Sequence, residues 1–321
     1  MKRDSKIYVA GHRGLVGSAI VRCLHAAGYA NIVARTHAEL DLMDQAAVRA
    51  FFEHEQPEYV FLAAAKVGGI LANDTYPAEF IHHNTAIQNN VIHESWRAGI
   101  KRLLFLGSSC IYPRDCPQPI KEEYLLTGPL ESTNRAYAIA KIAGIEMCWS
   151  YNRQYGTRFL AVMPTNVYGP GDDYDLQNSH VLPALIRKMH EAKQRGIPEV
   201  IVWGTGEPLR EFLYSEDMAD ACVMLISMSD ESFDGLATRY PPLINIGCGL
   251  DLSIRELAEL VAKTIGFTGT LKFDTAKPDG APRKLLDVGK LFSLGWRPTI
   301  QLDAGIKAAY LDFLQRQSVT A

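Results

Sequence analysis

The chain has 321 residues, 47% of them hydrophobic, which is enough apolar material for one large α/β unit or two unequal domains. Its formal net charge of -3 at pH 7 argues against nucleic-acid binding, which usually requires a basic face. No segment is long and apolar enough for a signal peptide or a membrane span, so the sequence predicts a cytoplasmic protein with no membrane partner.

The six cysteines are scattered and form no CxxC pair, which predicts reduced thiols. Cys110 and Cys116 are close enough in sequence for a regulatory disulfide, and that alternative stays open. No metal site is predicted, because His82 and His83 would face different sides of a helix and no HExxH motif occurs. A serine hydrolase is equally unsupported, since no GxSxG elbow is found.

Apolar runs and helical patterns alternate through the first half of the chain. The predicted strands are, in chain order, KIYVAG, NIVAR, YVFLAAA, KRLLFLG and RFLAVMP. The predicted helices are LVGSAIVRCLHAAG, QAAVRAFFEHE, PAEFIHHNTAIQNNVIHESWRAG and AYAIAKIAGIEMCWSYNRQYG. Alternation at this rhythm predicts an α/β fold with a Rossmann-type, doubly wound parallel sheet.

The pattern changes near Tyr168, where a turn-rich segment is followed by short strands (VIVWG, LINIG and LKFD) and helices such as SIRELAELVAKTIG. We interpret this part as a smaller mixed α/β lobe that closes over the carboxyl ends of the strands, where open sheets bind ligands. The predicted cofactor domain spans 1–170 with returning segments near 214–247. The predicted substrate lobe comprises 171–213 and 248–321.

The segment GHRGLVG places Gly11, Gly14 and Gly17 between the first strand and the first helix. Glycine at these positions lets the backbone approach a pyrophosphate, and the helix N-terminus supplies N–H donors. Because the strand and the helix stand where the motif requires them, the loop predicts dinucleotide binding.

The residues after the second strand favour NADP(H) over NAD(H). NAD enzymes usually have a carboxylate there to hold the ribose hydroxyls. This chain instead has Arg35, Thr36 and His37, and Arg13 lies inside the glycine loop. These groups would attract a 2′-phosphate, although solvated surface arginines remain the alternative.

Tyr137 and Lys141 in YAIAK are four residues apart, so both side chains project from one helix face. An ammonium beside a phenol would lower the pKa of the tyrosine and suit it to proton donation. Ser108, at the end of the fourth strand, is predicted to bond the same carbonyl oxygen as Tyr137. A surface helix with a solvated lysine is the alternative reading of the motif.

Together, GHRGLVG, AAAKVGG, GSSCIYP, YAIAK and PTNVYGP resemble the extended short-chain dehydrogenase/reductase family. The similarity runs from Ile7 to the last helix and includes NSHVLPALIRK, VWGTGEPLREF and KPDGAPRKLLD. It implies an NADPH-dependent enzyme that epimerises C3 and C5 of GDP-4-keto-6-deoxymannose and then reduces C4. A relative acting on a GDP-4-keto-dideoxysugar, a simple 4-reductase, and a non-catalytic NADP-binding module are the alternatives.

The resemblance also implies roles for individual residues. Cys110 matches the base and His180 the acid of the two epimerisations, whereas the residue types alone favour a buried structural thiol and a helix cap. The implied cofactor contacts are Gly11, Arg13, Gly14, Leu15, Val16, Gly17, Arg35, His37, Asp41, Leu42, Ala63, Ala65, Leu106, Gly107, Lys141, Pro164, Asn166, Val167 and His180. Relatives commonly have arginine at position 37, so histidine there predicts a weaker preference for NADP.

For the GDP-sugar, the resemblance implies contacts from Asn166, Lys188, Trp203 and Arg210, with Asp279 and Lys284 as weaker candidates. Lys188 stands where relatives often have arginine and lacks the two-pronged guanidinium. Core packing is the alternative for Trp203. The resemblance further implies a homodimer, in which the helices that contain PAEFIHHNTAIQNNVIHES and AYAIAKIAGIEMCWSY form a four-helix interface.

Overall fold

The computed structural model describes residues 1–176, 179–277 and 279–320. Asn178 of the NSH motif and Pro278 of the KPDGAPRK loop therefore lie outside the described residues. The strands are β1 Ile7–Ala10, β2 Ile32–Val33, β3 Tyr59–Leu62, β4 Arg102–Leu106, β5 Phe159–Pro164, β6 Asn166–Tyr168, β7 Glu199–Trp203, β8 Leu209–Tyr214, β9 Leu243–Ile246, β10 Asp251–Ser253, β11 Thr270–Asp274 and β12 Arg283–Lys284.

The α-helices follow the alternation expected from the sequence in the first half of the chain. They are α1 Leu15–Ala26, α2 Gln45–Glu55, α3 Ile70–Thr75, α4 Pro77–Arg97, α5 Arg135–Tyr155, α6 Val181–Arg195, α7 Ser215–Ser227, α8 Asp230–Ala237, α9 Ile254–Ile265, α10 Gly289–Ser293 and α11 Leu302–Thr320. None of them, within the described ranges, is long and apolar enough to cross a membrane.

Six parallel strands of the described chain form one sheet in the order β2-β1-β3-β4-β5-β9. Strands β1, β3, β4 and β9 are buried along their whole length, as expected for parallel strands covered on both faces. Helices α1 and α7 cover one face, and α2, α4 and α5 cover the other. The predicted doubly wound α/β fold is confirmed.

Local signals account for several element boundaries. The α2 helix has the predicted limits because the Asp44 side chain accepts hydrogen bonds from the backbone N–H groups of Ala46 and Ala47. Its end is marked by Gln56 in the left-handed conformation, immediately before Pro57. In contrast, the strand predicted over YVFLAAA ends at Leu62, and the short helix α3 was not predicted.

Each face of the large sheet has its own apolar cluster, and a third cluster is formed around α6, α9 and α11. Strand β8 lies beside it and pairs with β6, β10 and β12. Strand β9 instead joins the large sheet through parallel pairing with β5. The division of the chain into a cofactor domain and a substrate lobe at the boundaries given above stays a prediction.

Candidate active site

The glycine loop fits a phosphate-binding role. Gly11 follows β1 with φ +84, and a Cβ there would lie 2.6 Å from the backbone nitrogen of Ala64. A Cβ on Gly17 would lie 2.1 Å from the Gly11 oxygen, so loop and helix can approach this closely only through glycine. Gly14 precedes α1 without a side-chain cap, which leaves the first-turn N–H groups of the helix for a phosphate.

The cations expected near a 2′-phosphate have different surroundings. Arg13 is exposed on the glycine loop. Arg35 forms a salt bridge with Glu55, so a phosphate would compete with that carboxylate. The side chain of His37 is 83% exposed, and its Nδ1 atom lies 3.7 Å from an oxygen of Asp41. Arg13 and His37 therefore remain more accessible to a ligand than Arg35.

The other predicted cofactor contacts lie mostly at one edge of the sheet. The carboxyl ends of parallel strands meet at this edge, which is the usual ligand site of such sheets. These residues are Ala63 and Ala65 after β3, Leu106 and Gly107 at the end of β4, Pro164 at the end of β5, and Asn166 and Val167 in β6; Leu42 lies further along the loop before α2.

Lys141 is anchored beneath Tyr137. Its Nζ atom donates a 2.8 Å hydrogen bond to the Leu106 oxygen and lies 5.7 Å from the centre of the Tyr137 ring. Burial lowers the pKa of Lys141 to about 8. Burial likewise raises the pKa of Tyr137, the nearby Cys110 raises it further, and interaction with Ser108 opposes the rise. The expected lowering of this pKa is therefore wrong: burial sets its direction, and the phenol keeps its proton.

Cys110 lies in a short 3₁₀ helix, Ser109–Ile111, directly after Ser108. Its backbone N–H is 3.4 Å from the Ser108 hydroxyl, and only 7% of the residue is exposed. Burial raises the pKa of the thiol, whereas the positive charges of Lys284 and Lys141 and the Ser108 hydroxyl lower it. The population of thiolate is therefore controlled by these neighbours.

His180 immediately precedes α6, as the cap of its N-terminus, but its side chain makes no capping hydrogen bond. The residue is exposed to solvent, although nearby protein atoms reduce the hydration of its ring. This desolvation lowers the pKa of His180, Lys284 lowers it further, and Asp173 opposes both. Before a ligand binds, the pair formed by Cys110 and His180 thus favours thiol and neutral imidazole.

Lys284 has a more central position than the sequence suggested. Strand β12 pairs with β8 so that Lys284 lies opposite Arg210. The charge of Lys284 acts on Cys110 and on His180, and burial lowers the pKa of Lys284 itself. Lys284, a weaker candidate for ligand contact in the sequence analysis, therefore influences the ionisation of both predicted epimerisation residues.

We expect replacement of Lys284 by methionine to shift the ionisation of Cys110 to higher pH. A nearby cation favours the thiolate, so its removal raises the pKa of the thiol. The rate of Cys110 alkylation by iodoacetamide, followed by mass spectrometry across a pH series without substrate, measures this. Lys277→Met removes the same charge near Trp203 and should leave the profile unchanged. An unchanged profile in Lys284→Met would contradict the prediction.

The predicted GDP contacts lie on and beside β7 and β8. Lys188 Nζ lies 5.0 Å from the centre of the Trp203 ring and 3.3 Å from the Ile201 oxygen. Trp203 is 54% exposed, so the alternative that it packs in the core is wrong. Arg210 is partly buried, and this burial lowers the pKa of its guanidinium. The structure thus offers a flat aromatic surface and cations close to one another.

Asp279 makes hydrogen bonds within the chain, and its predicted contact with the ligand stays a prediction. Its carboxylate accepts hydrogen bonds from the backbone N–H of Thr205 at 3.0 Å and from the Thr205 hydroxyl at 2.7 Å. A Cβ on Gly204 would lie 2.3 Å from the same carboxylate. In this structure, Asp279 therefore holds the turn after Trp203.

Sequence reasoning missed Glu211, which lies between Phe212 and the predicted ligand contact Arg210. Glu211 is fully buried, and its backbone oxygen accepts a 2.8 Å hydrogen bond from Asn166 Nδ2. A signal was available, because a carboxylate directly before the apolar residues FLY of a strand is unusual.

Comparisons with known proteins identify the family of the chain. The model of the NAD dependent epimerase/dehydratase family matches residues 7–247. The chain belongs to the NAD dependent epimerase/dehydratase family. Over 308 residues it is 58% identical to "GDP-L-fucose synthase 1" of Arabidopsis thaliana, covering 96% of this chain and 93% of that protein.

Bacterial proteins are also similar to this chain. The chain is 52% identical to "GDP-L-fucose synthase" of Escherichia coli over 314 residues, 97% of each protein. Among solved structures, a GDP-mannoheptose C4 reductase from Campylobacter jejuni with NADP bound has a TM-score of 0.89 and 43% identity. That match covers 98% of this chain and 99% of the other.

Proposed function

We propose that this protein converts GDP-4-keto-6-deoxy-D-mannose to GDP-L-fucose by epimerisation at C3 and C5 and NADPH-dependent reduction at C4. The observation that carries the proposal is the identity of 58% and 52%, over nearly the whole chain, to proteins named GDP-L-fucose synthase. Such a protein is a bifunctional epimerase and oxidoreductase. The fold and the order of the motifs along the chain agree with this activity.

The proposed cofactor is NADP(H). A solved relative holds NADP, and the glycine loop of this chain leaves space and N–H donors for a pyrophosphate. The segment after β2 presents Arg35 and His37 where an NAD enzyme would usually have a carboxylate. When bound, NADPH supplies the hydride for C4. The residues of the chain orient the cofactor, and their side chains accept and donate the protons of the reaction.

For epimerisation we propose that Cys110 and His180 act on opposite faces of the sugar ring. The C4 ketone acidifies the hydrogens on C3 and C5, because the carbanion is delocalised as an enolate. The Cys110 thiolate removes the proton from each carbon, and the His180 imidazolium returns one from the other face. An anionic diphosphate near Lys284 would offset a positive charge that lowers the pKa of both residues. This favours the His180 imidazolium, and it leaves Lys141 and Ser108 as the groups that favour the Cys110 thiolate.

For reduction we propose that Tyr137 gives its proton to the C4 oxygen. The raised pKa of Tyr137 keeps the phenol protonated before the reaction, and Ser108 is close enough to hold the same oxygen. Lys141, fixed by the Leu106 oxygen, lies under the ring and stabilises the phenolate that forms. The same two hydroxyls would stabilise the enolate in the epimerisation steps.

The GDP part would lie between the cations and the aromatic surface described above. We propose that Lys188, Arg210 and Lys284 face the diphosphate and that Trp203 contacts the nucleotide. Asn166 would border both the nicotinamide and the sugar. Asp279 is proposed to contribute indirectly, by holding the turn that follows Trp203.

We further propose a cytoplasmic homodimer. The six cysteines are free, in agreement with a reducing compartment.

The proposed dimer interface is formed by helices α4 and α5. These helices pack together, and Ile81 and Ile139 on them are exposed. A concentration-independent monomer mass in light scattering or ultracentrifugation would exclude the dimer.

The function is tested by incubating the protein with GDP-4-keto-6-deoxymannose and NADPH. We expect NADPH oxidation and a product whose NMR couplings identify the fucose configuration. Parallel runs with NADH measure the cofactor preference. A product reduced at C4 without inversion at C3 and C5 would indicate a simple 4-reductase. Faster turnover of the 3-deoxy substrate would indicate colitose synthesis, and NADPH binding without turnover would indicate a binding module.

A further inference from the structure

Glu211 lies where three segments of the candidate site meet. It is fully buried in β8, next to Arg210, and receives hydrogen bonds from two other parts of the chain. One carboxylate oxygen accepts from the Gly249 N–H at 2.7 Å, after β9, and the other accepts from the Leu286 N–H at 3.1 Å, after β12. Its backbone oxygen accepts from Asn166 and from the Thr165 hydroxyl.

The carboxylate is held by hydrogen-bond donors. Burial raises the pKa of the Glu211 carboxyl, and N–H and O–H donors from Gly249, Leu286, Thr165 and Cys248 oppose that rise. A Cβ on Gly247 would lie 2.3 Å from the carboxylate, so little space remains beside it. A buried carboxyl group bound to aligned donors holds them strongly, since a lost bond leaves a buried polar group unsatisfied.

Two bonds of Glu211 lead to predicted ligand contacts. Leu286 is two residues beyond Lys284, and the register of β12 against β8 places Lys284 opposite Arg210. The bond to Leu286 therefore helps to fix the position of Lys284 relative to Arg210. The bond from Asn166 uses the backbone oxygen instead, so it does not depend on the carboxylate.

We propose that Glu211 is a positioning residue for the binding of the GDP-sugar. Its carboxylate binds the backbone N–H groups of Gly249 and Leu286 and thereby holds Lys284 against Arg210. The inference rests on the proposed function and deepens it. Glu211 itself contacts no ligand. It acts through the strand that contains Lys284, and a shift of that strand would weaken the binding of the diphosphate by Lys284 and Arg210.

Glu211→Gln tests this with little change of volume. The amide oxygen can still accept a hydrogen bond from one N–H donor, whereas the amide NH₂ group faces the other donor and cannot accept from it. We expect the bond from Leu286 to break, because it is longer than the bond from Gly249. We expect KM for GDP-4-keto-6-deoxymannose to rise about 10- to 100-fold, with kcat changed less than about threefold. The Kd of NADPH should stay the same, because Asn166 keeps its partner.

Asp217→Asn is the matched control. Asp217 is also buried, at 4% exposure, and its carboxylate accepts backbone N–H bonds from Thr299 at 3.0 Å and Ile300 at 2.9 Å. These residues precede α11, away from the predicted ligand contacts. This variant should lose thermal stability without a change in KM, which separates a general effect of a buried carboxylate from positioning.

Gly247→Ala displaces the carboxylate while Glu211 is retained, and should reproduce the change in KM. A wild-type KM in Glu211→Gln would overturn the proposal. So would a fall in kcat and NADPH affinity as large as the rise in KM, or failure of both Glu211→Gln and Gly247→Ala to fold. If the wild-type protein does not turn over the keto sugar, the proposed function fails instead.

Discussion

Replacement of Cys110 by serine is expected to slow epimerisation at C3 and C5 by about 10²- to 10⁴-fold, the usual contribution of a general base. A serine hydroxyl has a far higher pKa than a thiol, so it cannot supply the anion that removes the proton. Deuterium incorporation at C3 and C5 in D₂O, followed by NMR, measures the loss. Reduction of the unepimerised ketone by NADPH should survive, because Tyr137, Lys141 and Ser108 are unchanged.

Cys116→Ser is the matched control for this experiment. Cys116 is partly buried and also interacts with the charge of Lys284, yet the mechanism gives it no role. Its replacement should leave deuterium exchange near the wild-type rate. If Cys110→Ser exchanges as fast as the wild type, or if both variants lose exchange equally, Cys110 is not the base.

Replacement of Tyr137 by phenylalanine is expected to lower the rate of C4 reduction by about 10³-fold, which corresponds to about 4 kcal/mol of transition-state stabilisation. The change removes the proton donor and leaves the ring, which lies 6.1 Å from the ring of Phe80, in place. NADPH oxidation in a single turnover measures the chemical step, and fluorescence titration measures NADPH affinity, which should be unchanged.

Tyr151→Phe removes a hydroxyl from the same helix as the control. That hydroxyl contacts His93 Nδ1 at 2.7 Å on the side of α5 that packs against α4. It should have no effect on the reduction rate beyond a small change in stability. Undiminished reduction in Tyr137→Phe would remove this phenol from the mechanism.

Tyr137 also illustrates a limit of sequence reasoning. The spacing of YAIAK correctly predicts a helix, and in the structure Lys141 lies under the ring of Tyr137. The direction of the tyrosine pKa, however, is set by burial, which depends on everything packed around the ring. The spacing of two residues on a helix predicts that their side chains are close together. It does not predict how far these side chains are buried from water.

Arg35 and Trp203 are comparable cases. The sequence predicts a cation after β2 but cannot reveal that Glu55, on the next helix, pairs with it. Similarly, a tryptophan at the end of a short strand is consistent with either a core or a surface position. The pairing of β7 with β11 at the surface leaves the ring half exposed, with Lys188 and Lys277 close to it.

The sequence by itself determined the features that depend on neighbouring residues: the alternation of strands and helices in the first half of the chain, the glycine loop between β1 and α1, the limits of α2 and the shared helix face of Tyr137 and Lys141. These follow from backbone conformation and periodicity, which act over a few residues. Only the tertiary structure decided that Lys284 acts on Cys110 and that Glu211 binds the backbone beyond Lys284. Such contacts join segments that are distant in sequence. Their distances depend on the register between strands such as β8 and β12, which local sequence patterns do not specify.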